Sequence, residues 1–130
     1  MARMLLVDDD PTDRMLMRRA FARECAALQF TEFSDGHSAL ESFETIRPNV
    51  TLLDIRMPGM DGFEVLRALR RKHAFRQHPV ILVSSSRQRD EIQKAHEEGA
   101  NAYFEKPTTL AAYSALATDI FRNWVVSTQG

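Results

Sequence analysis

Five short apolar runs punctuate the chain at strand length: Arg3 to Val7, Phe30 to Phe33, Val50 to Leu53, Val80 to Val83 and Ala102 to Phe104. Between them hydrophobic residues recur at three- and four-residue spacings, which predicts amphipathic helices. In the first such stretch Met17, Phe21, Cys25 and Leu28 form the expected buried stripe. Strand and helix alternating in this way imply parallel strands joined by right-handed crossovers, with helices on both faces of one sheet. The fold class expected is therefore α/β, a doubly wound five-stranded parallel sheet. Helix boundaries carry their own signals. Asp10 suits an N-cap, Pro11 the first helical position and Asp13 the first turn. Gly36 opens the second helix, Asp61-Gly62 opens the third, and Gly99 follows Glu98 where a left-handed cap would stop the fourth.

At 130 residues the chain has the length of one domain, residues 1–130, with no room expected for an output domain. Its 17 basic and 18 acidic residues leave a net charge of −1, so no global field draws it to nucleic acid or to an anionic membrane. Cys25 is the single cysteine, which excludes an intrachain disulfide and fits a reducing compartment. The apolar run Met4 to Val7 is too short for a signal-peptide core, and no run approaches a membrane span. A cytoplasmic location is the expectation.

In a doubly wound sheet the ligand site lies beyond the carboxyl ends of the strands. The residues there form a coherent set: Asp8 and Asp9 after the first run, Asp54 after the third, Ser84 after the fourth, and Lys106-Pro107 after the fifth. Two carboxylates about 4 Å apart repel by about 4 kcal/mol at an effective dielectric of 20, so gathering three needs a compensating charge. Magnesium suits the task, because it takes hard oxygen ligands and typically combines one or two carboxylates with water and a phosphate oxygen. With the metal in place, a carboxylate could attack phosphorus while the metal and Lys106 draw charge off the transferred group. Ser84 could then donate to the aspartyl phosphate, converting added charge into movement of the loop that follows it.

Four segments carry a resemblance to a known family: Leu5-Leu6-Val7-Asp8-Asp9-Asp10-Pro11, Leu52 through Gly62 with Asp54-Ile55-Arg56-Met57-Pro58-Gly59-Met60-Asp61, Pro79-Val80-Ile81-Leu82-Val83-Ser84, and Gly99 through Pro107. In order and spacing the chain, from Met4 to about Trp124, resembles the response-regulator receiver domains of two-component signalling. That resemblance implies a flavodoxin-like sheet of strand order 2-1-3-4-5. It makes Asp54 the phosphoacceptor, with magnesium held by Asp8, Asp9, Asp54 and the backbone carbonyl of Arg56. Ser84 becomes the switch hydroxyl, Lys106 the phosphoryl-binding lysine and Tyr103 the aromatic switch. The Lys106-Pro107 bond is implied to be cis. Arg56 and Ser86 take positions that tune how fast water removes the phosphoryl group, and the face formed by the fourth helix, fifth strand and fifth helix becomes the output surface. The implied donor is a sensor histidine kinase, and a histidine phosphotransfer protein is a further partner. The connection Arg70 to His78 and the aromatic end Ile120 to Trp124 look like those of stand-alone regulators that serve phytochromes, which would make the kinase a bacteriophytochrome.

Plainer readings stand beside these. Asp10 reads as a helix cap rather than a ligand. His37, His73, His78 and His96 lack metal-ligand spacing and read as surface or capping residues. The basic run Arg70 to Arg76 reads as a solvated helix end. The last helix carries an apolar stripe wider than one sheet face demands, so Phe121, Trp124 or Val125 is a candidate homodimer or partner contact. Two rival functions share the motifs. Asp8-Asp9-Asp10-Pro11-Thr12 fits the nucleophile motif of haloacid-dehalogenase-like phosphatases, with Asp8 as nucleophile and Asp10 as acid/base, but it leaves Asp54 without a role. A phosphorylation-independent pseudo-receiver would lack one of the key residues, and none is missing. The expected chemistry is self-modification rather than turnover.

Overall fold

The computed structural model describes residues 2–85 and 88–125. Five strands, β1 (Arg3–Val7), β2 (Gln29–Phe33), β3 (Val50–Asp54), β4 (Val80–Ser84) and β5 (Ala102–Glu105), form one parallel sheet in the order β2-β1-β3-β4-β5. The crossovers are α1 (Pro11–Glu24), α2 (Gly36–Ile46), α3 (Gly62–Arg71) and α4 (Arg89–Glu97), and α5 (Leu110–Ile120) follows β5. The doubly wound α/β sheet and its strand order are those expected.

Strand pleating divides the interior into two layers. Met4, Leu6, Leu52, Ile81 and Val83 face one way, onto Met17, Ala20 and Phe21 of α1 and Leu116, Ala117 and Ile120 of α5. Leu5, Val7, Leu53, Val80 and Leu82 face the other, onto Ala39 and Phe43 of α2, Val65, Leu66 and Leu69 of α3, and Ala95 of α4. Every residue of β3 and β4 is buried, as central strands covered on both faces require. The caps fall where the chain signals them. Asp10 accepts from the Thr12 N–H, Asp61 and Glu64 form a reciprocal capping box at α3, and Gly99 (φ +92°) takes the left-handed turn after α4.

Four expectations need correcting. No cis peptide bond occurs among the described residues, so Lys106-Pro107 is trans; trans is the lower-energy form even before proline, and Lys106 reaches its partners from it. Val125 is buried, at 2% exposure, because the chain past α5 widens into a π-helical turn over Phe121–Val125 that rotates it onto the core. Phe121 and Trp124 are half-buried against the same layer, the Trp124 ring edge-on to Phe104. The exposed large apolar side chain among the described residues is instead Leu110, at the start of α5. Arg70 is no solvated helix end: its guanidinium donates to the carbonyls of Gly99 and Phe75 and to Asn101 Oδ1, tying α3 to the α4–β5 turn.

The fourth correction concerns His78, which lies just before β4 with Nε2 2.8 Å from Thr51 Oγ1 of β3 and its ring edge-on to Phe43. Burial, reinforced by the charge of Arg70, pulls its pKa from 6.5 down to about 4. The folded chain thus holds the ring neutral where the unfolded chain would protonate it. The stability this represents is complete above the unfolded value and is lost as pH falls through the folded one. Relative to His78→Gln, the wild type should lose up to roughly 3 kcal/mol between about pH 7 and pH 4. Urea unfolding of both proteins across that range checks it, and a pH-independent difference would contradict the assignment.

Candidate functional site at the strand ends

Register brings the chemistry together. Val7 pairs with Leu53, so the next residues, Asp8 and Asp54, leave neighbouring strands side by side. Asp54 pairs with Val83 and Ser84 with Glu105, which places Ser84 and Lys106 one step further along the same edge. The Lys106 N–H donates to the Ser84 carbonyl at 2.7 Å, locking the start of the β5–α5 loop against the end of β4. Carboxylate oxygens of Asp8, Asp9 and Asp54 all lie within 4.8 Å of one another. Asp54 is buried, Asp8 half-buried and Asp9 exposed, so the cluster opens to solvent on one side.

Lys106 supplies the counter-charge. Its Nζ lies 2.7 Å from Asp13 Oδ2, 3.1 Å from Asp8 Oδ2 and 3.4 Å from Asp54 Oδ2. Burial pulls the Lys106 pKa down, but the three carboxylates outweigh it and the ammonium is held more firmly protonated than usual. Burial and then the Asp8 charge push Asp54 up to about 7, against the pull of Lys106 and of the Arg56 N–H, which donates to its carboxylate. Burial raises Asp8 as well, opposed by the Asp10 N–H and by Lys106. Carboxylates this crowded call for a cation stronger than one ammonium. The donor set fits a hard divalent ion: three carboxylate oxygens within a cation's span, with an open side for water.

The turn after Asp54 holds the loop clear of this pocket. Gly59 takes φ +75°, and the Gly62 N–H donates to the Ile55 carbonyl at 2.9 Å, folding residues 56–61 outward. Arg14 on α1 steadies the opposite wall, donating to the Asp8 carbonyl and to Glu32.

Ser84 is fully buried, and its side chain hydrogen-bonds the Tyr103 hydroxyl. Tyr103 also donates to Glu91 Oε1 at 2.8 Å, while Glu91 Oε2 accepts from Arg56 Nη2 at 2.9 Å. Burial first, and then the Glu91 charge, raise the Tyr103 pKa, so the phenol remains a donor. Ser86 lies outside the described residues. Asp10 spends its side chain on capping α1, while Asp54 is a member of the acid cluster, the reverse of what the phosphatase reading requires.

Two residues at the site escaped the sequence. Asp13 reads along the chain as a first-turn acid and nothing more, yet it makes the shortest ion pair to Lys106. Glu91 reads as one of several helix charges, yet it bridges Arg56 and Tyr103. The place of Asp13 in the first turn of α1, close after the acidic pair, is a hint for the first; none exists for the second.

Comparison with known proteins settles the family. Residues 4–117 match the model for the response regulator receiver domain. The chain belongs to the response-regulator receiver family. It is 31% identical over 119 residues to the chemotaxis protein CheY of Pseudomonas aeruginosa, covering 92% of this chain and 95% of that protein. It is 37% identical over 111 residues to the DNA-binding transcriptional regulator NtrC of Klebsiella pneumoniae, covering 85% of this chain but 23% of that protein; the receiver thus spans about a quarter of such relatives. Among solved structures, the phosphorylated cyanobacterial phytochrome response regulator RcpA superimposes with a TM-score of 0.89 at 25% identity, over 97% of this chain and 95% of that one. Within the receiver's described residues, no helix is long and apolar enough to cross a membrane.

The close approach at Gly62 is the feature of this receiver most open to a direct test. A Cβ there would lie 2.6 Å from the Asp54 carbonyl oxygen and 2.8 Å from the Ile55 Cα, both backbone atoms that cannot step aside. Gly62→Ala should therefore destabilise the fold by about 2–3 kcal/mol, read as a lower urea midpoint at unchanged slope.

Proposed function

We propose that Asp54 is the phosphoacceptor and that the protein takes its phosphoryl group from the phosphohistidine of a sensor kinase. The observation that carries this reading is the convergence of Asp8, Asp9 and Asp54 oxygens within 4.8 Å, with the Lys106 ammonium 3.4 Å from Asp54. A carboxylate oxygen of Asp54 attacks phosphorus in line, a new O–P bond forms, the donor's N–P bond breaks, and the electron pair returns to the imidazole nitrogen. Asp8, Asp9, Asp54 and the Arg56 carbonyl would hold Mg²⁺, which when bound neutralises charge on the phosphoryl oxygens. Lys106 stands ready to pair with one of those oxygens and Ser84 to donate to another.

Ser84 and Tyr103 share a hydrogen bond, so turning the serine toward a phosphoryl group deprives the phenol of a partner. Tyr103 then alters the face built from α4, β5 and α5, which we assign as the output surface. Water removes the phosphoryl group afterwards, making the protein a self-modifying switch rather than a turnover enzyme. The similarity to RcpA supports a phytochrome-type kinase as the donor.

Incubation with magnesium and acetyl phosphate, borohydride trapping and mass-spectrometric mapping test the assignment. The label should fall on Asp54; a label on Asp8, or none, would falsify it. Arg56, 60% exposed at its side chain and paired with Glu91, follows Asp54 by two residues. Arg56→Asn should change the aspartyl-phosphate lifetime by about tenfold, equivalent to ~1.4 kcal/mol of barrier. Borohydride trapping of samples taken at successive times follows the loss of the acyl phosphate, and identical decay would remove Arg56 from the kinetics.

A further inference from the structure

Asp13 is the third residue of α1, and it does something its own helix does not need. A carboxylate in a first turn ordinarily complements the helix dipole or caps free N–H groups. Asp10 already performs the capping here, accepting from the Thr12 N–H at 2.9 Å. Asp13 instead turns one oxygen to the Lys106 ammonium, at 2.7 Å, and the other to the Tyr113 hydroxyl of α5, at 3.4 Å. Tyr113 is buried among the residues that seal α1 to α5, and the far end of the same seam is tied by the Thr118 hydroxyl donating to Glu24. One carboxylate thus joins the lysine that serves Asp54 to a phenol locked in the helix–helix seam.

We propose that Asp13 is a positioning residue that holds Lys106 in the resting protein and passes its displacement to Tyr113, so that modification of Asp54 is read at the α1–α5 seam as well as at Tyr103. This rests on Asp54 being the phosphoacceptor. A phosphoryl group carries about −1.5 to −2 charge, against the single charge of the carboxylate it replaces. Lys106 has three donors, all directed at carboxylates, and must give up part of its contact with Asp13 to meet the new oxygens. Asp13, relieved of part of its counter-charge, then draws more strongly on its remaining donor, the Tyr113 hydroxyl. The two tyrosines sit at the ends of separate chains: Arg56–Glu91–Tyr103 on the α4 side, Lys106–Asp13–Tyr113 on the α1–α5 side.

Because the sequence holds two tyrosines, ring-¹³C-labelled protein gives each its own NMR signal. The full chain is treated with magnesium and acetyl phosphate, and mass spectrometry of the same sample reports whether a phosphoryl group has been added. Phosphorylated wild type should show a shift of the Tyr113 signal. Compared with wild type at equal added mass, Asp13→Asn should lose that shift while retaining the Tyr103 response, and Asp13→Glu should restore it. In the resting state Asp13→Asn should already displace the Tyr113 signal and leave that of Tyr103 in place. A Tyr113 signal that stays still in phosphorylated wild type, or moves equally in phosphorylated Asp13→Asn, overturns the proposal while Asp54 phosphorylation stands. A sample with no added mass overturns the phosphoacceptor reading, and this proposal with it.

Discussion

A buried ammonium shared among carboxylates from three elements is the contact on which the site depends. Lys106 comes from the loop after β5, Asp8 from the end of β1, Asp54 from β3 and Asp13 from α1. Without a cation at their centre these acids would repel by several kcal/mol per pair at an effective dielectric near 20. With one ammonium the balance is incomplete: burial first, and then the Asp8 charge, push Asp54 up to about 7 in spite of Lys106. The cluster thus fits more positive charge than one ammonium supplies.

The scaffold makes this imbalance tolerable. Central strands buried on both faces carry the acids to a rim that the helices leave uncovered, and β3 and β4 are held by side chains packed into both layers. Gly62 lets α3 begin almost in contact with the backbone of Asp54 and Ile55, so the loop between them turns away from the pocket. Arg70 and His78 brace the opposite end of the sheet, far from the chemistry, by satisfying carbonyls and a buried hydroxyl. A rigid floor beneath a polar rim is what allows a change of one or two charges to move side chains rather than unfold the chain.

Two chains of polar contacts end on tyrosine hydroxyls in this arrangement. Arg56 and Lys106 are each engaged by a carboxylate, Glu91 or Asp13, that also holds a tyrosine hydroxyl. The fold supplies the spacing: α4 and β5 bring Glu91 to Tyr103, and the packing of α1 on α5 brings Asp13 to Tyr113. Charge–charge contacts at a partly solvated rim are weaker than core packing, so these are the contacts that give way first.

Much of this molecule was legible along the chain. Apolar runs and helical spacing determine which segments are strands and helices, because burial on a sheet face or a helix stripe demands that periodicity. The capping residues Asp10, Asp61 and Gly99 mark boundaries through local backbone chemistry alone, and Asp8, Asp9, Asp54, Ser84 and Lys106 announce themselves by following the apolar runs. Tertiary structure decided the rest. Whether Asp13 serves its helix or Lys106, whether Glu91 is a solvated charge or a bridge, and whether Val125 faces solvent or core all depend on which distant element lies opposite. The trans bond at Lys106-Pro107 and the withdrawal of Arg70 and His78 from solvent belong to the same class. Local pattern specifies what a residue can do, but the partner of a long polar side chain is chosen by three-dimensional proximity, which spacing along the chain does not encode.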